Sequence, residues 1–214
     1  MTAEEVAQFF RLHPQFFDQH PELLETIFVP HPHGGRAIPL AERQILALRD
    51  KVKLLEGKLG ELIQFGEDND AISEKVHRLS AALLGARDFA ACVQALHFHL
   101  REDFAVPHVA LRVWGKALPE SVAEGAPVAD ELRARTEAMG GPQCGAAAAS
   151  PFLAWFGDAA DHVRSIALVP LGQTRPFGLL ALGSEDAQRF YTEMGTLYLR
   201  RIGELTAAAL AARL

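Results

Sequence analysis

Two histidines two residues apart, with a proline between them and a Gly-Gly-Arg run behind, stand in FVPHPHGGRAIPLAERQ, residues 28–44. Imidazole is a common zinc ligand, so His31 and His33 raise a metal reading, with His13 and His20 upstream as further donors. Such a site needs more ligands at fixed spacing, and neither HExxH nor CxxC accompanies the pair. Gly34, Gly35 and Arg36 could form a small anion nest, but GxxxxGK[ST] and a GxGxxG after a strand are missing. A turn explains more. The glycines permit a reversal, while Pro30, Pro32 and Pro39 stiffen it. The sequence therefore leads us to expect no metal, no cofactor and no catalytic residue here.

The other reactive side chains read the same way. His97 and His99, in ALHFHLREDF, are two apart on a helix and face different sides, which suits structural roles. His108 and His162 each precede a strand. No GxSxG and no Ser-His-Asp order stands out. Cys92, at a helix start, reads as core. Cys144, in PQCGAAA, lacks a neighbouring Lys or Arg to lower its pKa and reads as an unreactive loop thiol.

Composition bounds the partners. A chain of 214 residues, 49% hydrophobic and 22% charged, suits one core-forming domain with an extension. Its net charge of -6 lacks the basic footprint of duplex binding, so no direct nucleic-acid contact is expected. Lys and Arg are dispersed, and no apolar run reaches the ~18–20 residues of a membrane helix. With no signal-peptide pattern either, no membrane partner is expected and the cytoplasm is the expected location.

The elements that would position these groups follow from periodicity. Residues 3–12 predict a helix capped by Thr2, with short helices at 14–19 and 21–27 begun by Pro14 and Pro21. From Pro39, Ile45, Leu48, Val52, Leu55, Leu59 and Leu62 alternate spacings of three and four, the a/d seam of a coiled coil. These six residues are the expected dimerisation surface of a homodimer, preferably parallel. The register lapses at Gly66, and a new stripe (Ile72, Val76, Leu79, Leu83) begins out of phase, which predicts a boundary in FGEDND. Helices are expected at 70–86, stopped by Gly85, and at 89–104, capped by Asp88.

VPHVALRVWG alternates as a strand, and VADELRARTEAM predicts a short helix within 115–150. GGPQCGAAAAS reads as a loop. The apolar runs 163–171 and 177–183, joined through GQTR, predict a hairpin, and residues 187–214 a long closing helix. The class is α+β: N-terminal helices and a long dimerising helix, then an antiparallel sheet flanked by helices.

Two stretches carry a family resemblance. SIALVPLGQTRPFGLLALGSED with the closing helix, and the helix pair ahead of VPHVALRVWG, resemble a GAF domain over about 70–214. FFRLHPQFF, VPHPHGGRAIPLAERQILALRDKVKLLEGKLGELI and the ND that follows make the whole chain similar to the bacterial DUF484 family. That resemblance implies three parts: short helices with a connector at 1–38, a coiled helix at 39–66 and a GAF-like domain at 67–214. It implies a non-catalytic sensor or adaptor with a small-molecule ligand or a protein partner. The pocket would lie between the sheet and its covering helices and loops, lined by Arg112, Trp114, Cys144, Phe152, Trp155, Arg164 and Phe177. No NKFDE-like cyclic-nucleotide signature is present. The alternative is an interaction module without ligand, linked to a site-specific recombination system whose genes neighbour the family's.

Overall fold

Helix α1 (Ala3–Leu12) starts on a capping box. Thr2 Oγ1 accepts from the Glu5 N–H at 3.3 Å, and the Glu5 carboxylate accepts from the Thr2 N–H at 2.7 Å. In this computed structural model the described residues are 2–29, 38–115, 118, 122–172 and 175–214. The readings made for His31, His33, Gly34, Gly35 and Arg36 lie outside them. Pro14 stands in the turn before α2 (Phe16–Gln19), and Pro21 caps α3 (Glu22–Thr26), so both helices are shorter than the sequence suggests. Phe9, Phe10, Phe16 and Phe17 form a ring cluster with centroids 5.2–5.8 Å apart. No residue of α1 or α2 is buried. Short strands β1 (Phe28–Val29) and β2 (Ile38–Pro39) pair antiparallel.

Helix α4 (Leu40–Gly85) is one continuous helix of 46 residues and runs straight through the domain boundary that the sequence places near 65–70. No proline interrupts it. A Cβ at Gly57, Gly60 or Gly66 would meet nothing within 4 Å, so no packing turns on these glycines. Each costs only about 1 kcal/mol against alanine, too little to end a helix with this many hydrogen bonds. The chain divides into two compact units, Met1–Glu67 and Asp68–Leu214.

In the second unit, helix α5 (Phe89–Glu102) starts where Asp88 Oδ1 accepts from the Ala91 N–H at 2.8 Å. Strand β3 (His108–Val113), helix α6 (Asp130–Glu137), strand β4 (Gln143–Ala146), the hairpin strands β5 (Ser165–Leu171) and β6 (Gly178–Ser184) and helix α7 (Leu197–Ala211) follow. The antiparallel sheet has the order β3-β6-β5-β4. Alternating side chains feed two cores. One joins Leu111, Val169 and Leu180 to Leu79, Leu83, Leu96, Leu100, Ile202 and Leu210 of the helices. The other joins Ala110, Ile166, Leu168, Leu179 and Ala181 to Trp114, Val128, Met139 and Phe152.

Two segments differ from their sequence expectation. Gln143–Ala146 is an edge strand rather than loop, because its backbone pairs with Ser165–Leu168 despite side chains of low strand preference. The closing helix begins only at Leu197. Ahead of it, the Asp186 carboxylate accepts from the Gln188 N–H at 2.8 Å. Ser165 Oγ donates to Asp186 O at 2.6 Å and accepts from the Phe190 N–H at 3.3 Å. These bonds hold the chain in turns while Phe190 enters the core.

Candidate ligand cleft

The β3–β6 pairing brings together residues far apart in sequence. Beyond the last strand pair, the Trp114 N–H donates to Phe177 O at 2.7 Å. The Trp114 indole Nε1 donates to Pro176 O at 3.1 Å, which fixes the ring plane. Gly115 then turns with φ of 78°, a left-handed conformation that favours glycine. Trp114, Gly115, Pro176 and Phe177 form one side of a cleft of about 600 Å³. Helix α6 contributes Asp130, Arg133 and Glu137, and Arg175 completes the rim. The cleft volume suits a small molecule.

Its charges are loosely held. Arg133 approaches Asp130 at 4.0 Å and Arg175 approaches Glu137 at 3.9 Å, the outer limit of an ion pair. Arg133 Nε is shielded from solvent and has no hydrogen-bond partner. Held only by those long contacts, the two guanidinium groups keep donor capacity for an anionic group, while Trp114 and Phe177 offer apolar contact.

The seven expected lining residues do not converge. Trp114 and Phe177 share this cleft. Arg112, Trp155 and Phe152 meet elsewhere: the Arg112 guanidinium lies 5.5 Å from the Trp155 ring centroid, and Trp155 packs edge-on to Phe152 at 5.1 Å. Phe152 is fully enclosed, filling the face on which a pocket was expected. Burial pulls the Arg112 pKa down, with Glu124 opposing, and one terminal nitrogen of Arg112 donates to Leu111 O at 2.9 Å. Arg164 is exposed, and its backbone bridges Ala147 and Ser184. Cys144 lies on the edge strand beside a smaller cleft of about 220 Å³, and burial raises its thiol pKa. Cys92 and Cys144 are both free thiols.

A third cleft, of about 560 Å³, lies between α7 (Arg200, Glu204, Ala208, Ala211) and the Gly140-Gly141-Pro142 turn. Sequence reasoning missed Arg133, Glu137, Arg200 and Glu204 as cleft residues. The i,i+4 spacing of Arg133 and Glu137, and of Arg200 and Glu204, was the only signal that each pair shares a helix face.

The histidines lie apart. His99 Nδ1 meets Asp103 Oδ2 at 2.5 Å, and Arg78 reaches Asp103 at 3.0 Å, tying α5 to α4. His108 contacts Glu185 at 3.5 Å, while His162 is exposed. Among the described residues, no group of three or more His, Cys, Asp or Glu side chains could hold a metal ion. None of their helices is long and apolar enough to cross a membrane.

Residues 1–213 match the family described as "Protein of unknown function, DUF484". An uncharacterised protein, YigA, of Salmonella typhimurium is 23% identical over 208 residues, spanning 92% of this chain and 86% of that protein. Among solved structures, the A. aeolicus nlh2 GAF domain in an inactive state superposes with TM-score 0.50 at 12% identity, over 68% of this chain and 99% of that one. A free methionine-R-sulfoxide reductase from Neisseria meningitidis overlaps with TM-score 0.45 at 19% identity, over 66% and 89% of the respective chains. The first of these structural likenesses shows a GAF-type fold.

Proposed function

The chain belongs to the DUF484 family, and from that premise we propose that it is a non-catalytic sensor or adaptor working as a homodimer. In this reading the segments 1–38, 39–66 and 67–214 are a docking module, a pairing helix and a GAF-like sensing domain. The Trp114–Phe177 cleft receives a small molecule carrying an anionic group, met by Arg133 and Arg175. A ligand that favours one packing shifts the population by its differential affinity alone. Two free thiols suit a reducing compartment such as the cytoplasm.

One observation carries the reading. Ile45, Leu48, Val52, Leu55, Leu59 and Leu62 are between 50% and 65% exposed, a continuous apolar stripe left in water. A patch of this kind on a soluble chain marks an interaction surface. Sedimentation equilibrium tests it: the full chain is expected to be a dimer and Leu55→Asp a monomer. An unchanged dimer in the variant would remove the stripe as the assembly element.

A second reading is supported by Phe152, whose enclosed ring occupies the face expected to hold ligand. On it the domain is a ligand-free protein-interaction module. Native mass spectrometry separates the two: a co-purifying small molecule, lost in Arg133→Ala, favours the sensor, and bare protein favours the module.

A further inference from the structure

The residues flanking the α4 stripe, together with those in it, define how two copies would meet. With Ile45 at a heptad a position, Val52 and Leu59 are also a, and Leu48, Leu55 and Leu62 are d. Two of the three a residues are β-branched and every d residue is leucine, the combination that packs best in a parallel two-stranded coil. In that geometry the g residue of one heptad faces the e residue of the next heptad on the other chain. Lys51 occupies g and Glu56 occupies e. Within one chain they are five apart and do not face each other, and neither has an ion-pair partner among the described residues.

An antiparallel arrangement divides the charges, because its e flank would set Arg49 against Glu56 of the partner subunit, an attraction that its g flank offsets. It sets Ile45 opposite Leu62 and aligns g with g, so Lys51 would face Lys58 of the partner subunit on that flank. Gly57 and Gly60 fall at f and b, on the outer side of the seam, and neither interrupts the contact surface.

We infer that α4 pairs with a second copy of this chain in parallel and in register, closed by two ion pairs between Lys51 of one chain and Glu56 of the partner subunit. This rests on the homodimer reading above and adds its orientation. Both α1–α3 aromatic modules then stand at the same end of the paired segment.

Sedimentation of the full chain first reads whether a dimer exists; a monomer at every concentration overturns the homodimer reading and this inference with it. Given a dimer, Lys51→Glu is expected to raise the dissociation constant about tenfold, as two attractive pairs become repulsive. Lys51→Glu with Glu56→Lys on the same chain is expected to restore it. An antiparallel dimer gives the opposite sign, because Lys51→Glu there replaces a like-charge contact with an attractive one; tighter association overturns the inference.

Cross-linking supplies a readout independent of affinity. In a Cys144→Ser background, Leu48→Cys and Leu62→Cys are each expected to form an inter-chain disulfide with their own copy under mild oxidation. Antiparallel pairing would hold those like positions roughly 16 and 25 Å apart at 1.5 Å per residue, beyond disulfide reach. Failure of both self-links in a dimeric sample, with linking in a mixture of the two variants, overturns parallel pairing.

Discussion

Arg213 closes the C-terminal end of α4 through Ala86. Its Nε donates to Ala86 O at 3.0 Å, and one terminal nitrogen donates to the same oxygen at 2.7 Å and to Leu83 O at 3.1 Å. The last carbonyls of a helix have no partner within it, and a guanidinium from α7's tail supplies one here. Its other terminal nitrogen donates to Ala209 O at 2.7 Å, so one side chain ties both helix ends. Arg213→Ala is expected to cost about 1–2 kcal/mol, in keeping with charged hydrogen bonds at a half-buried site. Both tryptophans, Trp114 and Trp155, lie in this unit, so their fluorescence in urea reads the loss directly.

Gly203 of α7 lies against the sheet. A Cβ there would stand 2.5 Å from Val169 Cγ1 and 3.6 Å from Pro170 O. Val169 is itself 1% exposed and has no room to withdraw. Gly203→Ala is expected to destabilise the unit by about 1–3 kcal/mol, the usual cost of overpacking. Adding Val169→Ala should recover part of that loss, and a double-mutant cycle from urea midpoints would show the coupling. Additive losses would mean that the helix shifts instead.

His97 gives a pH dependence of known sign. Burial holds its pKa below the ordinary 6.5, Arg101 adds to this and Glu124 opposes it. A histidine with a depressed folded-state pKa contributes fully above pH 6.5, where both states are neutral. As pH falls below that value the unfolded chain takes up the proton first, and stability is lost until the folded-state pKa is passed. His97→Gln should therefore flatten the slope of the stability profile below pH 6.5 and leave the slope near pH 8 as it was. Thermal midpoints across that range provide the measurement.

Cys144 and Cys92 should resist thiol reagents in the folded chain. Burial raises both pKa values, and for Cys92 Arg213 offsets only part of the rise. Thiolate is the reactive form, so at pH 8 disulfide-exchange labelling should run slower than for a free cysteine, with Cys92 the slower of the two. Rapid labelling of Cys144 in folded protein would contradict its half-buried placement.

Local signals were legible where local chemistry decides. Thr2 and Asp88 cap the helices assigned to them, and the apolar runs around GQTR form the β5–β6 hairpin. Long-range pairing was not legible. Gly145 and Ala146 have little strand preference of their own and become strand only because β5 offers a partner. Likewise Trp114 and Phe177 become neighbours only once β3 aligns with β6, a register no short motif encodes. The early end of the closing helix was hidden for a related reason: Ser165, far upstream, holds Phe190 in a turn that helical periodicity alone would overrun.

Helix α7 has a different task on each flank. Toward Gly141 it borders a cleft through Arg200 and Ala208. Toward α4 it holds on at two points, Tyr198 Oη donating to Asn69 O at 3.1 Å and Arg213 reaching the Ala86 carbonyl. It is thereby a stiff bar anchored at both extremities. Displacing its cleft flank outward would load the Tyr198 and Arg213 fastenings together, so both extremities, and not one, resist it.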